Sequence, residues 1–405
     1  MHRFFFWLLL IFLPTQWGYH AWPQWSMVLG RRVDYLSPTL FFTDVLIALT
    51  LSFWAISKSK ILNPKQIPAS PAGRQISKFK TKNIVLCIGC VVFMGTNIFF
   101  ATSRPVALYH WVKFFEFALL GYYIIQTKPN VSRVTNFVSL SVSYSSAIAI
   151  VQFILQHSVG GPLWFLGERA FSVDTPGIAR IVIGGKELLR SYATFPHPNV
   201  LGGYLAVLLP VIIQSTNNPI NKLSNAKKYF YIITFVLGII ALILTFSRSA
   251  WIVAGVGIGW VLFGKKRIVI FFALACLLSL IAFTFDPLDE SVVIRQQLNA
   301  GAVTMFHSSP LFGVGLGNFL TRLPDYLPSR TIYFLQPVHN IYLLLLSEIG
   351  VIGVIGVIKG RIKWGIPLVA LLLLGLVDHY PFTLQQGRLV LTIVIALSYR
   401  VPRLP

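Results

Sequence analysis

The chain has 405 residues, of which 34 are Lys or Arg and 12 are Asp or Glu, giving a net charge of +22; 55% are hydrophobic and only 11% charged. With a mean hydropathy of +0.72, this composition excludes a soluble globular protein, in which about a quarter of residues are charged. It points instead to an all-α, polytopic integral membrane protein. Cys87, Cys90 and Cys276 all lie inside apolar runs, so no disulfide framework is expected.

A membrane helix needs about 20 apolar residues. In chain order such runs fall at 4–20, 39–57, 83–102, 106–126, 134–156, 199–215, 229–247, 249–263, 268–285, 340–358, 364–380 and 383–399. They predict about 12 transmembrane helices in one domain covering 1–405. The first run follows Arg3 as in a signal peptide. Pro14, Gln16 and Trp17 then stand where a cleavage site would need small residues, so it is read as an uncleaved span.

Basic residues crowd 58–82, 128–133, 222–228, 265–267, 359–363 and both termini, with no Asp or Glu among them. By the positive-inside rule these segments face the cytoplasm, and both termini lie inside. The charge is thus a topology signal rather than a nucleic-acid footprint, and no nucleic-acid partner is expected. Segments 157–198 and 286–339 become two long outer loops of mixed composition. Loops of that length in a compact protein usually carry function.

Five polar clusters come out on that outer side. In the first, Arg190 leads through Pro196, His197 and Pro198 to Asn199, which can cap the next helix. His197 reads equally as a substrate contact or as a polar residue of the turn. The second is Arg248 between two spans, which must snorkel, pair or bind an anion. The third runs from Arg295 to Gly313, Gly315, Gly317 and Asn318, with Asp286, Asp289 and Glu290 as possible ion partners of Arg295. Its glycines lack the strand–helix setting of a phosphate loop and read as a tight turn.

The fourth cluster is His339-Asn340 at the start of a span holding Glu348, Gly350 and Gly353. A helix N-terminus disfavours imidazolium, so His339 should stay neutral and able to accept a proton. Glu348, about 13 Å further along the axis, cannot orient it and reads either as functional or as a helix–helix hydrogen-bonding group. The fifth is Asp378-His379, a candidate second layer around His339. Several arginines with neutral histidines suit an anionic, phosphate-bearing substrate. No spacing marks a metal site, and no cofactor is expected.

At these residues the sequence resembles the O-antigen ligase and O-antigen polymerase superfamily of bacterial membrane glycosyltransferases. His339-Asn340, nine residues, Gly350, two residues and Gly353 resembles the ligase signature H-[NSQ]-x9-G-x-x-[GTY]. Segments 193–199, 245–251 and 310–319 resemble further family motifs. The resemblance implies a GT-C-like fold and a polyprenyl-diphosphate-linked saccharide donor at the outer face of the bacterial cytoplasmic (inner) membrane. It further implies a glycan or lipid acceptor and an inverting, metal-independent transfer. Carried over by position, Arg248 and Arg295 grip the diphosphate and His339 acts as base. Arg190, His197, Asn199, Asn318, Asn340, Asp378 and His379 complete the expected substrate-binding set. Since the chain stops at Pro405 soon after its last span, a glycoprotein acceptor is not expected. A 12-span transporter or a lipid-linked saccharide flippase is the alternative. Against it stand the external long loops and the lack of an internal repeat.

Overall fold

The computed structural model describes residues 1–59, 88–216, 224–264, 290–327, 335–358 and 364–399. The expected span 268–285 and most of the basic segment 58–82 lie outside these residues. The described chain is mainly helical: α1 (His2–Ile11), α2 (Phe42–Ser59), α3 (Ile88–Phe99), α4 (Arg104–Thr127), α5 (Val131–Leu155), α6 (Pro198–Thr216), α7 (Asn225–Leu244), α8 (Arg248–Phe263), α9 (Glu290–Ser308), α10 (Phe319–Arg322), α11 (Ile341–Ile358), α12 (Ile366–Leu374), α13 (Tyr380–Thr383) and α14 (Gln385–Ser398). Among them, α2, α5, α6 and α7 are long and apolar enough to cross a membrane, while α1, α3, α8, α11 and α14 are shorter apolar helices. This is a multi-pass membrane protein. The expected count of about 12 spans is not reached among the described residues.

Two differences from the sequence reading have clear local causes. The run expected as a span over 4–20 is helical only to Ile11, because Pro14 lacks the N–H that a further turn needs. The chain then leaves as strand β1 (Gly18–His20), which pairs antiparallel with β4 (Thr39–Phe41), Tyr19 opposite Leu40. Between them lies a smaller pair, β2 (Met27–Val28) with β3 (Arg31–Arg32). A third hairpin joins β5 (Arg180–Ile183) to β6 (Lys186–Leu189) across Gly184 and Gly185. Both glycines take positive φ, 57° and 77°, as a two-residue hairpin turn requires. Strands of two to four residues are too short to show an alternating pattern in the sequence.

Helix α6 is the centre of the bundle, packed against α5, α7, α8 and α12. Small residues allow the close approach: a Cβ on Gly202 would meet Ala250 and Ser247 at 2.9 and 3.1 Å, and one on Gly203 would collide with the Tyr380 hydroxyl. Buried hydroxyls link neighbouring helices, with Ser141 2.5 Å from Tyr204 and Ser143 2.7 Å from Thr234. Such pairs hold helices together where apolar burial drives association less. A charged network ties α2, α4 and α14: Lys113 donates to Asp44 and, at 3.1 Å, to Glu116, while Gln385 donates to Asp44 and, at 2.9 Å, to Thr43.

The second difference is α11, expected as one continuous span. It breaks at Gly350, where φ is 62° and ψ −173°. The broken ends are met by the glycine-rich segment 310–317. Val351 and Ile352 donate their N–H groups to the carbonyls of Pro310 and Leu311 (2.9 and 3.3 Å), and Val314 and Gly315 donate to Ser347 and Glu348 (2.9 and 3.0 Å). Gly313, Gly315 and Gly317 all have positive φ, and side chains there would strike Glu348, Ala101 and His110 respectively. The glycine segment is therefore a packed turn. Glu348 belongs to the same assembly, since its Oε1 accepts the Phe319 N–H at 3.3 Å.

Candidate active site

His339 stands two residues before α11, and Asn340 between them caps that helix. Its Oδ1 accepts the N–H groups of Tyr342 (2.9 Å) and Leu343 (3.1 Å), satisfying two of the helix's open donors. Its Nδ2 donates to the Leu376 carbonyl at 3.2 Å, and the Ile341 N–H reaches Gly375 at 2.8 Å. These bonds clamp the turn after α12 beside His339. Asp378 Oδ1 consequently lies 3.9 Å from His339 Nδ1 and accepts the His379 N–H at 2.8 Å. The His339 and His379 rings are 5.0 Å apart. His339 Nε2 lies 3.3 Å from Gln336 Oε1, and His379 Nδ1 2.7 Å from Thr383 Oγ1.

The arginines converge from other elements. Arg190 follows β6, and its Nε donates to the Thr245 carbonyl at 2.8 Å, just before Arg248 opens α8. Its second guanidinium nitrogen donates to Asn199 Oδ1 at 2.7 Å, while the Asn199 N–H donates to His197 Nδ1 at 3.1 Å. Arg295, on α9, donates to the Val377 carbonyl at 3.2 Å, one residue before Asp378. Arg248 and Arg295 both lie within electrostatic range of Arg190. His197 in turn feels Arg190, Asp378, His339 and Arg295.

That electrostatic setting fixes protonation. Burial pushes His197 down to about 3, with Arg190 adding to the effect, and His379 down to about 4. Burial likewise holds His339 below its ordinary value; Asp378 pulls it up and Arg295 pushes it down. Burial raises the Asp378 carboxyl, but His379, His339, His197 and Arg295 together hold it below the usual carboxylate range. Burial lowers Arg190 to about 10, opposed by Tyr192 and assisted by Arg248 and Arg295. The result is neutral imidazoles beside an ionised carboxylate and three guanidinium groups, the arrangement of a site for an anion next to a proton acceptor.

Arg190, His197, Asn199, Arg248, Arg295, His339, Asp378 and His379 are thus brought together. Asn340 supports them from the helix cap. Asn318 is not brought to the cluster: it is wholly buried, with its amide spent on both backbone groups of Ser103 (2.7 and 3.2 Å) and on the Leu316 carbonyl. Sequence reading missed Gln336, Thr383 and Tyr35. The ring of Tyr35 stands edge-on to His379 at 5.4 Å, and nothing in its surroundings in the sequence marks it. Donor atoms of His339, Asp378 and His379 lie within 4.8 Å of one another. Two imidazoles and a carboxylate are ligands that a zinc-type ion accepts, so this trio is the place where the described residues could hold a metal.

Segment 233–358, which contains Arg248, Arg295, His339 and the broken helix, matches a known family model. That family is the O-antigen ligase family. The match supports membership of the O-antigen ligase and polymerase superfamily, and with it a role in glycan assembly at a membrane by a glycosyltransferase-like enzyme. Neither the curated proteins nor the solved structures hold a match to the chain.

Proposed function

We propose that the protein transfers a glycan from a polyprenyl-diphosphate-linked donor to an acceptor hydroxyl at the outer face of the bacterial cytoplasmic membrane, as an O-antigen ligase or polymerase does. Both termini then lie in the cytoplasm, and segments 157–198 and 286–339 lie outside. The observation that carries this reading is the gathering of Arg248 and Arg295 in the field of Arg190, near a half-buried His339 held below its ordinary pKa.

His339 takes the proton from the acceptor O–H, and the oxygen attacks the anomeric carbon from the face opposite the diphosphate. The bond from that carbon to the diphosphate oxygen breaks, and its electron pair leaves with the diphosphate. Arg248 and Arg295 stabilise the charge growing there. The products are an inverted glycoside, polyprenyl diphosphate and a protonated His339, whose charge Asp378 offsets. A neutral imidazole can serve as this base without a metal.

The test uses purified protein in liposomes, supplied with lipid-linked saccharide and acceptor extracted from the host. Wild type should release polyprenyl diphosphate, and a folded, membrane-inserted His339→Ala variant should release none. A ladder of longer lipid-linked products would mark a polymerase. No release by wild type would overturn the transferase reading in favour of transport or flipping.

A further inference from the structure

A second feature lies beside the histidines. A cavity of about 1050 Å³ opens between the N-terminal hairpins, the segment around 164–170 and the start of α14. It carries none of Arg190, Arg248 and Arg295. Its mouth is aromatic: Trp17 (41% exposed) and Trp164 (56% exposed) stand with ring centres 6.4 Å apart. The two segments are pinned together there, because Gln16 donates to the Gly167 carbonyl at 2.9 Å. A side chain on Gly167 would press on the backbone of Gln16 and Trp17.

The arginines of the lining are bonded to the protein. Arg169 donates to the Pro196 carbonyl at 2.6 Å and lies over the Tyr192 ring. Arg388 donates to the Phe382 carbonyl at 2.6 Å and lies in the field of Glu348, Asp44 and Glu116. Asp34 adds an exposed carboxylate. At the inner end, Gln385 Oε1 and Gln386 Nε2 are buried without a hydrogen-bond partner. Exposed indoles, amides and a carboxylate, beside two arginines each bonded to a backbone carbonyl, match the apolar faces and hydroxyls of a sugar.

Three lining residues reach the reactive cluster. Tyr35 stands against the His379 ring, Thr383 bonds His379 Nδ1, and Pro196 adjoins His197. From this juxtaposition we infer that the cavity is the acceptor subsite and that the acceptor enters it as an uncharged saccharide chain, stacked on Trp17 and Trp164 with its attacking end toward Tyr35 and His379. This deepens the transferase reading and rests on it. Donor phosphate and acceptor sugar would then be sorted by chemistry, arginines for one and indoles with amides for the other.

Two measurements on the full chain in nanodiscs test it. In the first, the probe is host surface glycan released by mild acid and freed of phosphate, with inorganic pyrophosphate as the anionic control. The glycan should bind wild type and lose about tenfold in affinity in the Trp17→Ala/Trp164→Ala variant, with Trp17→Phe/Trp164→Phe near wild type. Pyrophosphate binding should be the same in all three. In the second, Asp34→Asn and Trp164→Ala should raise the acceptor KM while leaving the donor KM unchanged. Glycan binding that survives removal of both indoles, or displacement of the glycan by a polyprenol instead of by free sugar, would overturn the proposal. If transfer is absent altogether the transferase reading fails, and the binding measurement still decides what the cavity holds.

Discussion

At the scale of single residues, His339 is held neutral by burial, and this has a direct kinetic signature. Its pKa lies below the ordinary 6.5, so the base form predominates at neutral pH and is lost as the pH falls through that lowered value. The acid limb of kcat/KM should therefore lie below pH 6.5. Asp378 raises His339 and Arg295 lowers it, which gives opposite expectations for two variants. Asp378→Asn should move the limb to lower pH and Arg295→Gln to higher pH; limbs that stay in place would dissociate the activity from His339. Arg248→Lys removes the two-pronged geometry of a guanidinium, because an ammonium is a point donor. Loss of one charge-assisted bond of about 1.5–3 kcal/mol predicts a fall of roughly 10- to 100-fold in donor kcat/KM, read by steady-state kinetics. The approach of His339, Asp378 and His379 makes the metal question concrete. Transfer should persist in excess EDTA, and activity lost in EDTA and restored by a divalent ion would assign the trio to a metal instead of a base.

At the scale of elements, the site hangs on a helix that is broken by design. Gly350 takes a φ that side chains rarely adopt, and a Cβ there would strike the backbone of Leu311. Gly350→Ala combines backbone strain of about 1–3 kcal/mol with an overpacking cost of about 1–3 kcal/mol. The expected result is a fall of several degrees in the melting temperature in detergent. An unchanged melting temperature would mean that the break is not needed. The Asp44, Lys113 and Glu116 network is a second support, since it holds Gln385 at the head of α14. Asp44→Asn should destabilise by about 3 kcal/mol or more, because a buried lysine loses one of its two anions; chemical or thermal unfolding measures it. The sequence disclosed the pieces of these elements but not how they fit. Glycines at 313, 315, 317 and 350 were visible as motifs, yet that two of the motifs form one hydrogen-bonded unit follows only from the chain's return on itself. Glu348 stood open between two readings for the same reason: its partner, the Phe319 N–H, is 29 residues away in the sequence.

At the scale of the whole molecule, the proposed sides of the membrane rest on the distribution of basic residues, and labelling can check them. In a variant freed of its own cysteines, single cysteines at the exposed positions Lys186 and His307 should react with an impermeant reagent in intact cells, and one at Lys227 should not. Reaction of Lys227→Cys alone would invert the topology. Hydropathy read the helical class correctly because apolar runs of such length leave little choice of structure. It misjudged the first run, where Pro14 and a hairpin cut the helix short, and the continuous α11. The clustered histidines were legible because His339 and Asp378-His379 sit at the ends of apolar runs. Tyr35 was not, because only folding brings the N-terminal hairpins to residue 379.

The break in α11 also bears on how the protein is made. A helix interrupted within an apolar stretch leaves donors and acceptors that lipid cannot satisfy. Their partners, residues 310–315, lie earlier in the chain and so leave the ribosome first. The groups that complete α11 are therefore already synthesised when it is released into the bilayer. A circularly permuted chain that places 290–317 after α11 would reverse this order and expose the unfinished helix to the membrane's insertion and quality-control machinery.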